Sequence, residues 1–244
     1  MFFTGKQRGI NRVRREIVLR DVNVAALDWK GPSLLYVTFK GEALTTFESD
    51  SFDDHIKFIF TDASGQQFKR DYTPILMNKA AGELVIAFAV HAGGKASDWA
   101  TSAKIGDSAI IAGPKGSMVI PMDYDWHFLV GDESSFPAIE RRLKELPAGM
   151  PTKVLLKIEN AQSREEIAKE HSHIQFVSDN AGLINALQAA HLPSGEGFVW
   201  CAGESNAMKK ARDILIHEKN HPKSDMKVAA YWKVGEADFH DRLV

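Results

Sequence analysis

The sequence predicts two architectures in series: an N-terminal antiparallel β-barrel, then a three-layer α/β unit built on a mainly parallel sheet. Three observations carry this expectation. Up to residue 120, short runs rich in Val, Ile and Phe are separated by Gly, Pro, Asp and Ser, with no convincing amphipathic helix between them. Beyond it, apolar runs alternate with segments of helical spacing, the pattern of strands whose crossovers cover both faces of a parallel sheet. The change of rhythm falls at Pro121–Tyr124 and divides the chain into units of 1–122 and 123–244.

In order, Arg12–Arg20, Leu34–Phe39, Ile56–Phe60, Leu84–Val90 and Ser108–Ala112 read as barrel strands, because β-branched and aromatic residues suit a pleated, half-buried surface. His127–Val130 opens the second unit as a strand, the polar run Gly131–Ser135 ends it, and Phe136–Leu146 has helical spacing. Val154–Ile158 and Ile174–Val177 are further strands. Asn180–His191 sets Leu183, Ala186, Leu187 and Ala190 on one helical face. A strand at Phe198–Ala202, a helix at Ser205–Glu218 and a strand at Val228–Trp232 complete the pattern.

Composition narrows the chemistry. With 30 Lys+Arg against 32 Asp+Glu, the net charge of −2 offers no cation surplus for non-specific nucleic-acid binding. The lone Cys201 excludes an intrachain disulfide and any four-cysteine zinc or iron–sulfur centre, so electron transfer would require an organic cofactor. No apolar run reaches the roughly 18–20 residues of a membrane-spanning helix, and Met1–Ile10 lacks the apolar core of a secretory signal. A cytoplasmic protein is expected, with no membrane or nucleic-acid partner and nothing that demands more than a monomer.

Two segments suit a flat, phosphorylated ligand. In Arg70-Asp71-Tyr72-Thr73-Pro74, a guanidinium matches a phosphate, a phenol ring can lie against a ring system, and a hydroxyl can hydrogen-bond a ring heteroatom. In His91-Ala92-Gly93-Gly94-Lys95-Ala96-Ser97, glycines allow close backbone approach, while Lys95, Ser97 and free amides can hold a pyrophosphate. Structural alternatives are an ordinary strand end, and Ser97 as a helix cap.

These segments resemble the siderophore-interacting proteins, a branch of the ferredoxin-reductase superfamily. Arg70-Asp71-Tyr72-Thr73 looks like their flavin-binding Arg-x-Tyr-Thr signature, and His91 to Ala100 like their second flavin segment. Ala112-Gly113-Pro114-Lys115-Gly116-Ser117, Gly131-Asp132-Glu133 through Pro137-Ala138-Ile139, Trp200-Cys201-Ala202-Gly203-Glu204 and Tyr231-Trp232-Lys233-Val234-Gly235 are similar to four more signatures, in family order. The resemblance implies an FAD domain in residues 1–122 and an NAD(P)H domain in 123–244. It further implies that Arg70, Tyr72 and Thr73 contact the isoalloxazine and phosphates, and that His91, Gly94, Lys95, Ala96 and Ser97 lie along the pyrophosphate and adenosine. Asp132, Glu133, Ala202, Gly203 and Glu204 would line the nicotinamide-nucleotide side. Lys57 falls where relatives carry a basic residue facing the siderophore, and Lys115 and Arg242 are further candidates for anionic chelates.

The implied activity is reduction of siderophore-bound Fe(III) by NADH or NADPH through FAD, releasing Fe(II). No general acid or base and no resident metal is expected. Two alternatives share these residues: a reductase of the same substrates fed by ferredoxin, and a non-catalytic flavin-containing siderophore-binding protein. A hydrolase is a weaker rival. Gly203-Glu204-Ser205-Asn206-Ala207 resembles a nucleophile elbow but lacks its second glycine, and Ser205 reads better as a helix cap. The histidines at 171, 173, 217 and 221 read as surface residues, with no adjacent carboxylate cluster in the sequence.

Overall fold

The computed structural model describes residues 10–236, so the candidate Arg242 lies outside the described residues. The first half contains β1 (Asn11–Arg14), β2 (Leu19–Trp29), β3 (Leu34–Lys40), β4 (Ile56–Thr61), β5 (Gln67–Tyr72), β6 (Pro74–Asn78), β7 (Glu83–Ala89), α1 (Lys95–Ser102) and β8 (Ser108–Ala112). Seven of these strands form one antiparallel sheet in the order β5-β4-β8-β2-β3-β7-β6. Its two outermost strands, β5 and β6, are consecutive in the chain and joined through Thr73 alone, which forces the sheet to curl. The Tyr72 and Phe88 rings accordingly meet across its interior, 4.5 Å between centroids. This is the expected antiparallel barrel in half-barrel form. Helix α1 closes it, placing Trp99 against Phe58 at 4.8 Å and burying Ala96 and Ala100.

Several elements differ from the sequence expectation. The single strand expected at Arg12–Arg20 is broken: β1 leaves the sheet to pair with β9 (Gly116–Val119), and β2 continues to Trp29. The break falls where Arg15 turns its guanidinium to Glu48 and Asp50. Strands β6 and β9 were not legible as elements, and β5 and α1 appeared only as the alternative strand-end and helix-cap readings, because Gln67–Tyr72 is mostly polar and α1 spans barely two turns.

The second half contains β10 (Trp126–Asp132), α2 (Phe136–Glu145), β11 (Thr152–Lys157), α3 (Ala161–Glu170), β12 (Gln175–Val177), α4 (Asn180–Ala189), β13 (Gly197–Glu204), α5 (Ser205–Asp213) and β14 (Met226–Trp232). Its five strands are all parallel, in the order β12-β11-β10-β13-β14. Helix α3 escaped the periodicity reading because only Ser163 and Ile167 are buried on it. Alternate strand residues point to opposite layers. Phe128, Val130, Val199 and Cys201 pack with α4 and α5, whereas Leu129, Val154 and Trp200 pack with α2 and with Leu34 and Phe52 from the first half.

Helix α2 is thereby clamped between the two sheets by two buried arginines. Arg141 donates to the Pro74 carbonyl at 2.9 Å and to Ser49, and Arg142 donates to the Pro121 carbonyl at 3.1 Å with its guanidinium over the Phe52 ring. Strand order reverses between β10 and β13. In such sheets the crevice for a ligand lies outside the carboxyl ends of the strands at this switch point, here Asp132 and Glu204.

Candidate functional site

Strand β5 ends in Arg70, Asp71 and Tyr72, and alternation puts Arg70 and Tyr72 on one face and Asp71 on the other. The Tyr72 ring packs on Phe58 and Phe88, and burial raises its phenol pKa above the ordinary value. Thr73, 95% buried, is the single residue that joins β5 to β6.

Lys57 on β4 stands directly opposite Asp71 and forms an ion pair with it at 2.7 Å, on the face away from Tyr72. Lys115 is exposed, in the turn after the cis Gly113–Pro114 bond. These two lysines lie on different segments of the same half, and Lys57 does not join the Arg70–Tyr72 face.

The segment from His91 to Ser97 folds back on itself. The ring of His91 covers Gly94 so closely that a Cβ there would stand 2.5 Å from Cε1. The alternative reading of Ser97 as the α1 cap does not hold: Gly94 occupies the cap position, and the Ser97 hydroxyl accepts a hydrogen bond from the His91 amide at 2.9 Å. Helix α1 begins immediately at Lys95, so the amides of Lys95, Ala96 and Ser97 form its first turn, the end of a helix that attracts phosphates. The Lys95 ammonium is paired with Asp62 at 3.2 Å.

At the switch point, Asp132, Glu133, Ala202, Gly203 and Glu204 come together as expected at the ends of β10 and β13. Glu204, and not Ser205, caps α5: its Oε2 accepts from the Ala207 amide at 2.9 Å. Glu204 Oε1 and Ser205 Oγ are buried without a hydrogen-bond partner. Glu133 is pulled two ways: burial raises its pKa, while Lys157 at 3.8 Å opposes that shift. Lys209 and Lys210 project from the exposed side of α5.

One cluster escaped the sequence reading. Asp53, in the loop before β4 with a side chain 1% exposed, accepts from the Tyr231 hydroxyl at 3.1 Å and is ion-paired with Lys227. These partners lie 174 and 178 residues away, and no local motif announces them. A second long-range set is Glu140, Glu170 and His171, whose ligand-type atoms lie within 4.8 Å of one another. The carboxylates that the histidine spacing lacked are thus supplied by folding, but Tyr36 and Lys144 occupy Glu140 and Lys30 occupies Glu170. A cleft of about 660 Å³ beside Glu48, Asp50 and Lys79 shares no residue with the expected site and carries the wrong charge for an anion.

The residues present fit a flavin and a dinucleotide. Gly94 and the α1 terminus form a phosphate cradle. Glu204 Oε1 and Ser205 Oγ, without partners of their own, could pair with polar groups at the carboxyl ends of β10 and β13. A half-barrel that carries the Arg-x-Tyr-Thr strand and meets the carboxyl edge of a doubly wound parallel sheet through Asp53 and Tyr231 defines a two-part flavoprotein of the ferredoxin-reductase type. Residues 64–118 match the siderophore-interacting FAD-binding domain, and residues 124–235 match the siderophore-interacting protein family. An NADPH-dependent ferric-chelate reductase of Escherichia coli is 30% identical over 91% of this chain and 95% of its own. A ferric vibriobactin reductase of Vibrio cholerae is 28% identical over 86% of this chain and 88% of its own. A siderophore utilization protein from T. fusca superposes with a TM-score of 0.86 at 26% identity, covering 94% of this chain and 99% of that one. The chain belongs to the siderophore-interacting protein family.

Proposed function

We propose that the protein is an FAD-dependent oxidoreductase that reduces ferric siderophores with NADPH or NADH. The observation that carries the reading is that the loop before β4, the partner strand of Arg70–Tyr72, reaches the carboxyl end of β14, where Tyr231 donates to Asp53 at 3.1 Å and packs against His55. A flavin held by the Arg70–Tyr72 strand lies beside the crevice where a nicotinamide nucleotide binds. The names of the E. coli and V. cholerae relatives support the same reaction.

Residues 1–122 would hold FAD and 123–244 the nucleotide. Arg70 provides the phosphate fork, the first-turn amides of α1 take the pyrophosphate, and Tyr72 and Thr73 orient the ring. Glu204 Oε1 and Ser205 Oγ supply acceptors for ribose or carboxamide groups, and the turn at Gly203 lets the nucleotide approach backbone closely. Bound FAD supplies the conversion between a two-electron hydride donor and one-electron reduction of iron. No side chain is required to move a proton at the iron. Fe(III) is held tightly by hard oxygen donors and Fe(II) less so, so reduction releases the metal. Lys57 and Lys115, with Arg242, would draw anionic chelates to the protein. Among the described residues no helix is long and apolar enough to cross a membrane, and we place the reaction in the cytoplasm as part of this proposal.

The test is anaerobic mixing of the FAD-loaded protein with NADPH or NADH, following the flavin absorbance, then addition of a ferric catecholate with a ferrous chelator present. Bleaching by either nucleotide, followed by reoxidation and Fe(II) capture, is expected. Bleaching by reduced ferredoxin alone would overturn the choice of donor, and protein that takes up no FAD would overturn the whole reading.

A further inference from the structure

Glu140, Glu170 and His171 surround a small void on the side of α2 that meets the first half. Glu140 lies one turn beyond Phe136 on α2, while Glu170 and His171 end α3. Phe136 holds the His171 ring edge to face, 6.1 Å between centroids. The His171 Nε2 is buried and has no hydrogen-bond partner among the described residues. Tyr36, Glu140, Glu170 and His171 border a void of about 10 Å³, room for one water-sized sphere. A tetrahedral ion bound at about 2.0–2.1 Å would space its donors at about 3.4 Å. The donor atoms here lie within 4.8 Å of one another, and Glu170, with a side chain 53% exposed, is free to close that gap.

The groups already on the carboxylates do not exhaust them, because each carboxylate offers about four lone pairs. Glu140 accepts from the Tyr36 hydroxyl and from Lys144, both at 2.7 Å, and Glu170 accepts from Lys30 at 2.9 Å through Oε1. Both ammonium groups can leave. The Lys144 side chain is 52% exposed, and Lys30 has a second carboxylate, Asp28, at 3.6 Å. One divalent ion replaces two ammonium charges, so the charge balance of the cluster is kept. Tyr36 is a neutral donor that can stay on Glu140 and orient it, as outer partners of metal ligands do. Burial lowers the His171 pKa, which keeps the imidazole in the neutral form that binds metal.

We propose that Glu140, Glu170 and His171 form a binding site for a divalent transition-metal ion, Zn²⁺ above all. One imidazole and two carboxylates suit Zn²⁺ better than the hard Mg²⁺, and three protein ligands leave a fourth position to water. The site shares no residue with the flavin strand or the nucleotide crevice, so it stands apart from the proposed reaction.

The experiment titrates Zn²⁺ into the FAD-loaded full chain, freed of metal by a chelator, and follows binding by calorimetry. A single equivalent should bind. His171→Gln and Glu170→Gln should each weaken binding about a hundredfold, and Tyr36→Phe about tenfold. Lys30→Gln removes a competing cation and should tighten binding, whereas the exposed His217→Gln should change nothing. No Zn²⁺ binding by the unaltered protein overturns the site, as does equal affinity for Mg²⁺. Unchanged affinity in the two ligand variants, or an equal loss in His217→Gln, overturns it as well. Weaker binding in Lys30→Gln overturns Glu170 as a ligand. Should His171→Gln not fold, Glu170→Gln decides alone, since its side chain lies at the surface.

Discussion

The Asp132 carboxylate reaches across β13 to the Trp232 indole, Oδ2 to Nε1 at 2.9 Å, and the space it crosses exists because residue 203 is glycine. The same Oδ2 accepts from the Glu204 amide at 3.0 Å, and Oδ1 accepts from the Ser134 amide and hydroxyl at 3.0 and 2.5 Å. Four donors thus converge on one buried side chain. Asp132 ties the ends of β10, β13 and β14 together at the switch point, which gives a structural cause for its presence beside the proposed nucleotide crevice.

Gly203→Ala tests that arrangement. A Cβ at this position would lie 2.5 Å from Asp132 Oδ2, and the backbone φ of +155° is one that only glycine adopts readily. The substitution should cost about 1–3 kcal/mol of stability and slow flavin reduction by nucleotide at least about tenfold. Urea unfolding and anaerobic stopped-flow absorbance report the two effects separately.

Arg142→Ala should destabilise the protein by about 2–4 kcal/mol, because it removes a nearly fully buried side chain that satisfies the Pro121 carbonyl and covers the Phe52 ring. Burial lowers the Arg142 pKa to about 10, so the side chain stays charged near neutrality. Comparison of chemical denaturation midpoints with those of an exposed Arg12→Ala control checks the effect. Equal midpoints would remove α2 as the clamp between the halves.

His127 makes stability depend on pH. It is fully buried, neither ring nitrogen has a partner, and burial followed by the Arg142 charge lowers its pKa from 6.5 to about 4. The unfolded chain binds more protons than the folded one between those values. The stabilisation is therefore complete above pH 6.5 and is lost as the pH falls toward about 4. About 3 kcal/mol should disappear across this window. His127→Leu should flatten that part of the curve, while the similarly lowered His171 and His221 keep a residual slope. Denaturant titrations at about pH 7.5 and about pH 4.5 suffice to test the linkage.

The Lys57–Asp71 pair makes opposite predictions for its two members. Removing the cation with Lys57→Gln should lower kcat/KM for an anionic ferric chelate about threefold at low salt, and Asp71→Asn should raise it by a similar factor. Both effects should shrink as ionic strength rises. If the two variants behave alike, Lys57 does not recruit substrate.

Much of the fold was legible because its signals are local. The alternation in Leu34–Phe39 and Ile56–Phe60 and the helical spacing of Asn180–His191 each recur within a few residues, and all three became the expected elements. Helix α3 was hidden, and strand β5 was legible only as a strand end, because each buries only a few side chains and presents a polar face. The site divides in the same way. Arg70, Tyr72, Thr73 and the glycines at 93 and 94 occur as contiguous signatures, whereas Asp53, Lys227 and Tyr231 acquire meaning only through one another.

The sequence by itself determined the two-part architecture, the family and, through a single cysteine, the need for an organic electron carrier. The tertiary structure alone decided which groups are spent and which are available. It turned Asp132 into a latch, gave the helix cap to Glu204 and left Ser205 without a partner. It neutralised Lys57 with Asp71 and Lys95 with Asp62, and buried Asp53 against Tyr231 and Lys227. The reason is physical: backbone periodicity is written over neighbouring residues, but a buried polar group must find its partner wherever packing brings one, here up to 178 residues away.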